Sequence, residues 1–266
     1  NTEKKFIKSK ISTNFLKKII VPNTIGISAG SPFIFSEEII KVFKKKIYNL
    51  HDAPLPEYRG AASLSWMILK EKRNWKSTIH EVTKDIDGGN IVFEKKFKFP
   101  NYINKPVDYI KYQWEKDLIA IESFLNILLK NKTITKINKK KNCMYYPRLN
   151  AKLNGWIDFS WKANFICKFI NAFSYNYAGA RSMVNDNLVI IFDAIVIKSY
   201  KKRKHPFLNG LIVEKSSKNK LKIIVEDGEI LVTDYRCKVK IREGDRIFTP
   251  AKKLDASYGT RARFCP

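Results

Sequence analysis

Apolar positions in the first half of the chain follow two periods. Short runs at Thr24–Ala29, Ile47–Leu50, Thr78–Thr83 and Ile91–Phe97 have the length and composition of strands. Between them the period lengthens to that of helices. Ser36 offers an N-cap hydroxyl, Glu37 and Glu38 follow in a first turn, and lysines close the segment at about Lys46, with Ile39, Ile40 and Phe43 on one side. A second short helix is predicted over Ala61–Lys70. Pro106 opens the longest, running to about Lys130, with Val107, Ile110, Trp114, Leu118, Ile121, Leu125 and Leu128 spaced along one predicted face.

The second half changes character. One helix is expected from about Trp161 to Phe173, carrying Phe165, Ile166, Phe169, Ile170 and Phe173, a spacing that reads as core before it reads as a base-stacking surface. Short strands follow at Leu188–Ile197, Leu208–Glu214, Leu221–Val225 and Ile230–Tyr235, with Asp227-Gly228 marking a hairpin between the last two. Strands alternating with helices, then strands with turns, predict an α/β fold. A sheet over 1–140 is followed by a smaller β-rich, barrel-like or open domain over 141–266, the basic Lys139-Lys140-Lys141 serving as linker.

Charge changes this picture little. Lys and Arg number 51 against 25 Asp and Glu, a net +26 that invites a nucleic-acid partner. Yet Lys is spread along the chain beside much Asn and Ile, which A/T-rich coding produces without any partner. The four cysteines show neither metal-ligand spacing nor a disulfide pattern, and no apolar run reaches transmembrane length. No apolar segment follows the charges of the first ten residues. A cytoplasmic protein without a metal or a membrane partner is the expectation.

Chemistry concentrates between Asn49 and Asp87. Asn49 and His51, two apart on a strand, point to one face, and Asp87 lies in the turn Asp85-Ile86-Asp87-Gly88-Gly89-Asn90. An amide donor, an imidazole that titrates near neutrality and a carboxylate are the groups needed to pass an acyl carbon to an amine. Asp87, hydrogen-bonded to the ring, would fix its tautomer. His80, mid-strand between Thr78 and Val82, reads as a structural histidine, and Arg59 before Gly60 as a brace of the preceding loop.

Asn49-x-His51, then Leu55-Pro56-x-x-Arg59-Gly60-Ala61, then Thr78-x-His80 and Ile86-Asp87-x-Gly89 resemble the formyltransferases that use N10-formyltetrahydrofolate. Gly155-Trp156-Ile157-Asp158 and Phe169-Ile170-Asn171-Ala172-Phe173 are similar to that family's C-terminal domain. The resemblance implies a formyl transfer with Asn49, His51 and Asp87 as catalytic residues. It puts the folate against Ser31, Pro32, Phe33, Leu55, Pro56 and Asp87, with Arg59 and Gly60 in a structural or substrate loop. It also implies an α/β fold with a partial Rossmann-like sheet, whose opening strand–helix units are absent, followed by an OB-like C-terminal domain. Asp52-Ala53-Pro54 and Ala62-Ser63-Leu64 depart from the methionyl-tRNA branch toward the branch acting on nucleotide-linked amino sugars, the expected acceptor. The alternative acceptor is methionyl-tRNA, and an alternative of another class is a basic RNA-binding protein on a decayed scaffold.

Overall fold

A computed structural model describes residues 12–31, 34–137, 143–175, 177–200, 204–216, 220–259 and 263–264. The elements of the first half are α1 (Thr13–Ile19), β1 (Gly26–Ala29), α2 (Glu37–Val42), β2 (Ile47–His51), β3 (Arg59–Gly60), α3 (Ser63–Leu69), β4 (Asn74–Glu81), β5 (Ile91–Lys98) and α4 (Pro106–Leu129). There follow β6 (Met144–Tyr146), α5 (Ala151–Asn154), α6 (Ala163–Ala172), β7 (Ala180–Val184), β8 (Asn187–Ser199), β9 (Ile212–Lys215), β10 (Leu221–Val225), β11 (Gly228–Cys237), β12 (Ile247–Phe248), α7 (Ala251–Ser257) and β13 (Arg263–Phe264).

The first sheet runs β1-β2-β4-β5, with β1 and β2 parallel and the remaining pairs antiparallel. Side chains alternate across it. Tyr48, Leu50 and Ile79 face α4, where Ala120 and Phe124 close a small core. Asn49, His51 and His80 are thereby turned to the opposite face. The second sheet, β12-β7-β8-β11-β10-β9, is antiparallel throughout and curls until Leu211 bridges Arg246. A larger core joins the halves, placing Tyr58, Trp75 and Phe99 in one cluster with Ile166, Ile170 and the barrel interior. Between them β6 adds to β3, pairing Arg59 with Tyr145 and Gly60 with Tyr146.

Four expectations need correction. The helix after Ser36 stops at Val42, because Lys44 and Lys45 turn into the left-handed region. The strand expected from Thr78 begins at Asn74, drawn back by buried Trp75. A 3-10 turn at Pro206–Leu208 takes the start of the strand expected from Leu208. The face of α4 is also rotated. Its buried residues are Pro106, Tyr109, Gln113, Asp117, Ala120 and Phe124, while Trp114 and Leu118 stay 67% and 68% exposed. Small Ala120 lets the helix approach the sheet, and Asp117 locks the register by accepting from Ser77 Oγ (2.5 Å) and Gln113 Nε2 (2.8 Å). α6 follows its expectation better, burying Ile166 and Ile170 and leaving Phe165 outside.

Asp227-Gly228 does form the β10–β11 hairpin, and Asp227 also accepts from the Ala163 N–H (2.8 Å) at the start of α6. Cys143 is disulfide-bonded, which the cysteine spacing did not announce. No helix among the described residues is long and apolar enough to cross a membrane, and none of their acidic, His and Cys side chains cluster as metal ligands. The basic runs at 139–141 and 201–203 lie wholly or largely outside the described residues.

Candidate active site

A cavity of about 980 Å³ lies over the ends of β1 and β2. Its wall is formed by the loop after β1, by 60–64, by the turn at 82–87 and by the exposed side of α4. The C-terminal half contributes Tyr145, Arg148 and Tyr177.

Strand register assembles the polar floor. Ser28 of β1 stands beside Asn49 of β2, and Asn49 is directly opposite His80 of β4. His80 Nδ1 is 2.8 Å from the Glu81 carbonyl, to which it donates, so neutral His80 presents an Nε2 lone pair. Asn49 Nδ2 is 3.2 Å away and donates to it, leaving the second amide N–H free for the cavity. His51 is pinned on its other side: Nε2 donates to the Tyr58 carbonyl at 2.6 Å. In the neutral ring Nδ1 then carries the lone pair, and it faces Asp87 Oδ1 at 3.7 Å.

Two glycines bring Asp87 over this floor. A Cβ on Gly89 would stand 1.8 Å from the Glu81 carbonyl, so only glycine lets the turn fold back on β4. Gly60, at φ +97°, donates its N–H to Asp87 Oδ2 at 2.9 Å, and a Cβ there would meet the Tyr146 carbonyl at 2.2 Å. Asp87 itself sits at φ +51°, a conformation Asp tolerates better than most residues. Burial works to raise its pKa, but the hydrogen bond donated by Nε2 of protonated His80, the charge of protonated His51 and the Gly60 N–H outweigh it and hold the carboxyl at about 2.

Asn49, His51, Asp87, Gly60 and Ser31 all line the cavity. The structure corrects two expectations here. The tautomer of His51 is set by the Tyr58 carbonyl, because 3.7 Å is too long for a hydrogen bond from the ring to Asp87. His80, expected only as a buried strand residue, also lines the cavity, 3.4 Å from Asp87 Oδ1. Its signal was available in the register: a strand pairing antiparallel with β2 had to set some residue opposite Asn49.

Leu55 and Pro56, joined by a cis peptide bond, are buried and are not part of the cavity wall. Pro32 and Phe33 lie outside the described residues. Arg59 is half-buried, pairs through its backbone with Tyr145, and its Nε has no hydrogen-bond partner. Asp117 was missed altogether. It lines the same cavity with its carboxyl pKa raised by burial, and an acid within an apolar helix pattern was its only trace.

Comparison with known proteins places this geometry. A family model described as Formyl transferase matches residues 25–102, and one described as Formyl transferase, C-terminal domain, matches 151–245. The bifunctional polymyxin resistance protein ArnA of Wigglesworthia glossinidia brevipalpis is 32% identical over 169 residues, 63% of this chain and 26% of that protein. The methionyl-tRNA formyltransferase of Borrelia recurrentis is 30% identical over 166 residues, 62% of this chain and 52% of its own length. The chain thus spans about half the length of that relative. Among solved structures, an N-formyltransferase from Helicobacter canadensis, in complex with folinic acid and dTDP-3-aminofucose, superposes with a TM-score of 0.62. The identity is 20%, with 80% of this chain and 74% of that one covered, a likeness of fold.

Proposed function

We propose that this chain, which belongs to the formyl transferase family, moves a formyl group from N10-formyltetrahydrofolate to a primary amine, the acceptor being an amino sugar linked to a nucleotide. The observation that carries the reading is the convergence of Asn49, His51, His80 and Asp87 in one cavity, with Asp87 held ionised. Ser31 and Gly30 line the cavity beside that set, and a Cβ on Gly30 would meet nothing within 4 Å among the described residues, an opening that suits a flat ring system. The volume also fits two small substrates, since such sites run to about 1,000 Å³.

Each residue then has one task. The amine lone pair attacks the formyl carbon and the carbonyl pair moves onto oxygen, where the free N–H of Asn49 donates. Such a donor is worth roughly 10²–10³ in rate. His51 Nδ1 takes the amine proton, and the imidazolium so formed gains from Asp87 facing it. As the carbon–N10 bond breaks, its electron pair stays on N10, which receives that proton from His51. His80 keeps the Asn49 amide turned so that its N–H faces the reacting oxygen.

The nucleotide-sugar acceptor is supported by the Asp52-Ala53-Pro54 variation and by the fold shared with the dTDP-3-aminofucose-bound neighbour. Methionyl-tRNA is the second reading, favoured by the relatives at 30% identity and by the +26 charge. The deciding experiment is formyl transfer by the wild-type chain and by His51→Ala, with N10-formyltetrahydrofolate and both acceptor classes. Transfer to the nucleotide sugar that falls by roughly 10²–10⁴ in the variant is the expected result. Transfer confined to methionyl-tRNA and collapsing with added salt would move the reading to tRNA. No transfer from folded wild-type chain would refute it.

A further inference from the structure

Ser28 has a hydroxyl that the fold does not use. It is 8% exposed, its Oγ has no hydrogen-bond partner, and its side chain lines the cavity. A buried hydroxyl left unpaired is costly, and an alanine or valine at this strand position would pack without that penalty. Its neighbours on β1, Ile27 and Ala29, lie on the other face and are exposed, so the polar side chain has been directed inward against the simpler pattern.

Register says what Ser28 stands next to. It pairs with Asn49, which pairs with His80, so the three form one polar row across the floor. Asn49 and His80 are bonded to each other (3.2 Å), and the β1 end of the row is the unbonded end. The acceptor amine has to reach His51 and Asp87, and the formyl carbon has to lie at Asn49. With N10 in reach of His51, and the donor expected against Ser31 in the loop after β1, the stretch of floor between them is the Ser28 end of this row.

We propose that Ser28 is a binding residue for the formyl donor, its hydroxyl pairing with a ring nitrogen or carbonyl on the rim of the folate heterocycle. The inference rests on the folate reading above. A pterin rim carries several such atoms, and one neutral hydrogen bond made only on binding is worth about five- to tenfold in affinity.

The test uses folinic acid, a stable formylated folate, titrated calorimetrically into the full chain and into Ser28→Ala, Ser28→Val and Ser28→Thr, with unfolding of each ligand-free protein alongside. Ala and Val should bind about five- to tenfold more weakly and Thr, which keeps the hydroxyl, within about twofold of wild type. The ligand-free Ala variant should unfold no earlier than wild type, since no bond is lost. Ala and Val variants that bind as tightly as wild type overturn the proposal, as does Thr falling together with Val, or a ligand-free Ala variant that unfolds earlier than wild type. Wild-type chain that binds no folinic acid would overturn the folate reading itself and this inference with it. Wild-type binding matched by Ser28→Ala would sink only the role of Ser28.

Discussion

Replacing Asp87 by Asn keeps the shape of the side chain and an oxygen for the Gly60 N–H while removing the charge. In the folded chain the carboxyl titrates at about 2, against an ordinary 3.8, despite burial that pushes the other way. At about 1.4 kcal/mol per tenfold change in proton affinity, that difference corresponds to about 2 kcal/mol of stability. The sign follows from the depressed value. The contribution is present above pH 4, where the unfolded carboxyl is ionised, and is lost as pH falls through about 2. With the carboxylate only 11% exposed, solvent screening discounts it little. Urea unfolding of wild type and Asp87→Asn at pH 5 should therefore differ by about 2 kcal/mol, with the gap narrowing steadily toward pH 2.5. In formyl transfer the same variant should lose roughly 10³–10⁴ in kcat, since the imidazolium of His51 would form without its counter-charge. Equal stability at pH 5, or a gap that does not change with pH, would refute the electrostatic account. Transfer left intact would refute the assigned role.

His80→Leu removes the acceptor that orients the Asn49 amide and should lower kcat about tenfold with the donor KM little changed, as expected for one lost positioning hydrogen bond; steady-state kinetics separate this from a binding defect. Gly60→Ala would place a methyl 2.2 Å from the Tyr146 carbonyl at a backbone angle few L-residues adopt. It should cost about 2 kcal/mol or more and reduce transfer as well, because the Gly60 N–H to Asp87 moves with it; unfolding curves and rates measured on one preparation would check both.

The sequence alone carried a good deal. Strand-length runs and helical periods located the first sheet, because side-chain alternation and burial are local properties that a chain must write into its pattern. The two-residue spacing of Asn49 and His51 put both on one face for the same reason. A carboxylate in a turn with Gly88 and Gly89 marked Asp87, since only glycine permits the approach at Gly89. The C-terminal hairpin at Asp227-Gly228 was equally legible.

Other features became visible only in the tertiary structure. Which side of α4 is buried could not be read from its apolar spacing, because Ala120 and the Ser77–Asp117–Gln113 contacts decide the rotation and each depends on a strand distant in sequence. His80 joined the site through the pairing of β4 with β2, and register between strands is not a property of either strand alone. The tautomer of His51 depends on the Tyr58 carbonyl, seven residues on and beyond a loop. Ser28 looked like any small strand residue until its neighbours were known. Local periodicity fixes what each segment is, while partners across the sheet fix what each polar side chain can do. For that physical reason Asn49, His51 and Asp87 could be singled out in the sequence, while the contacts that orient them could not.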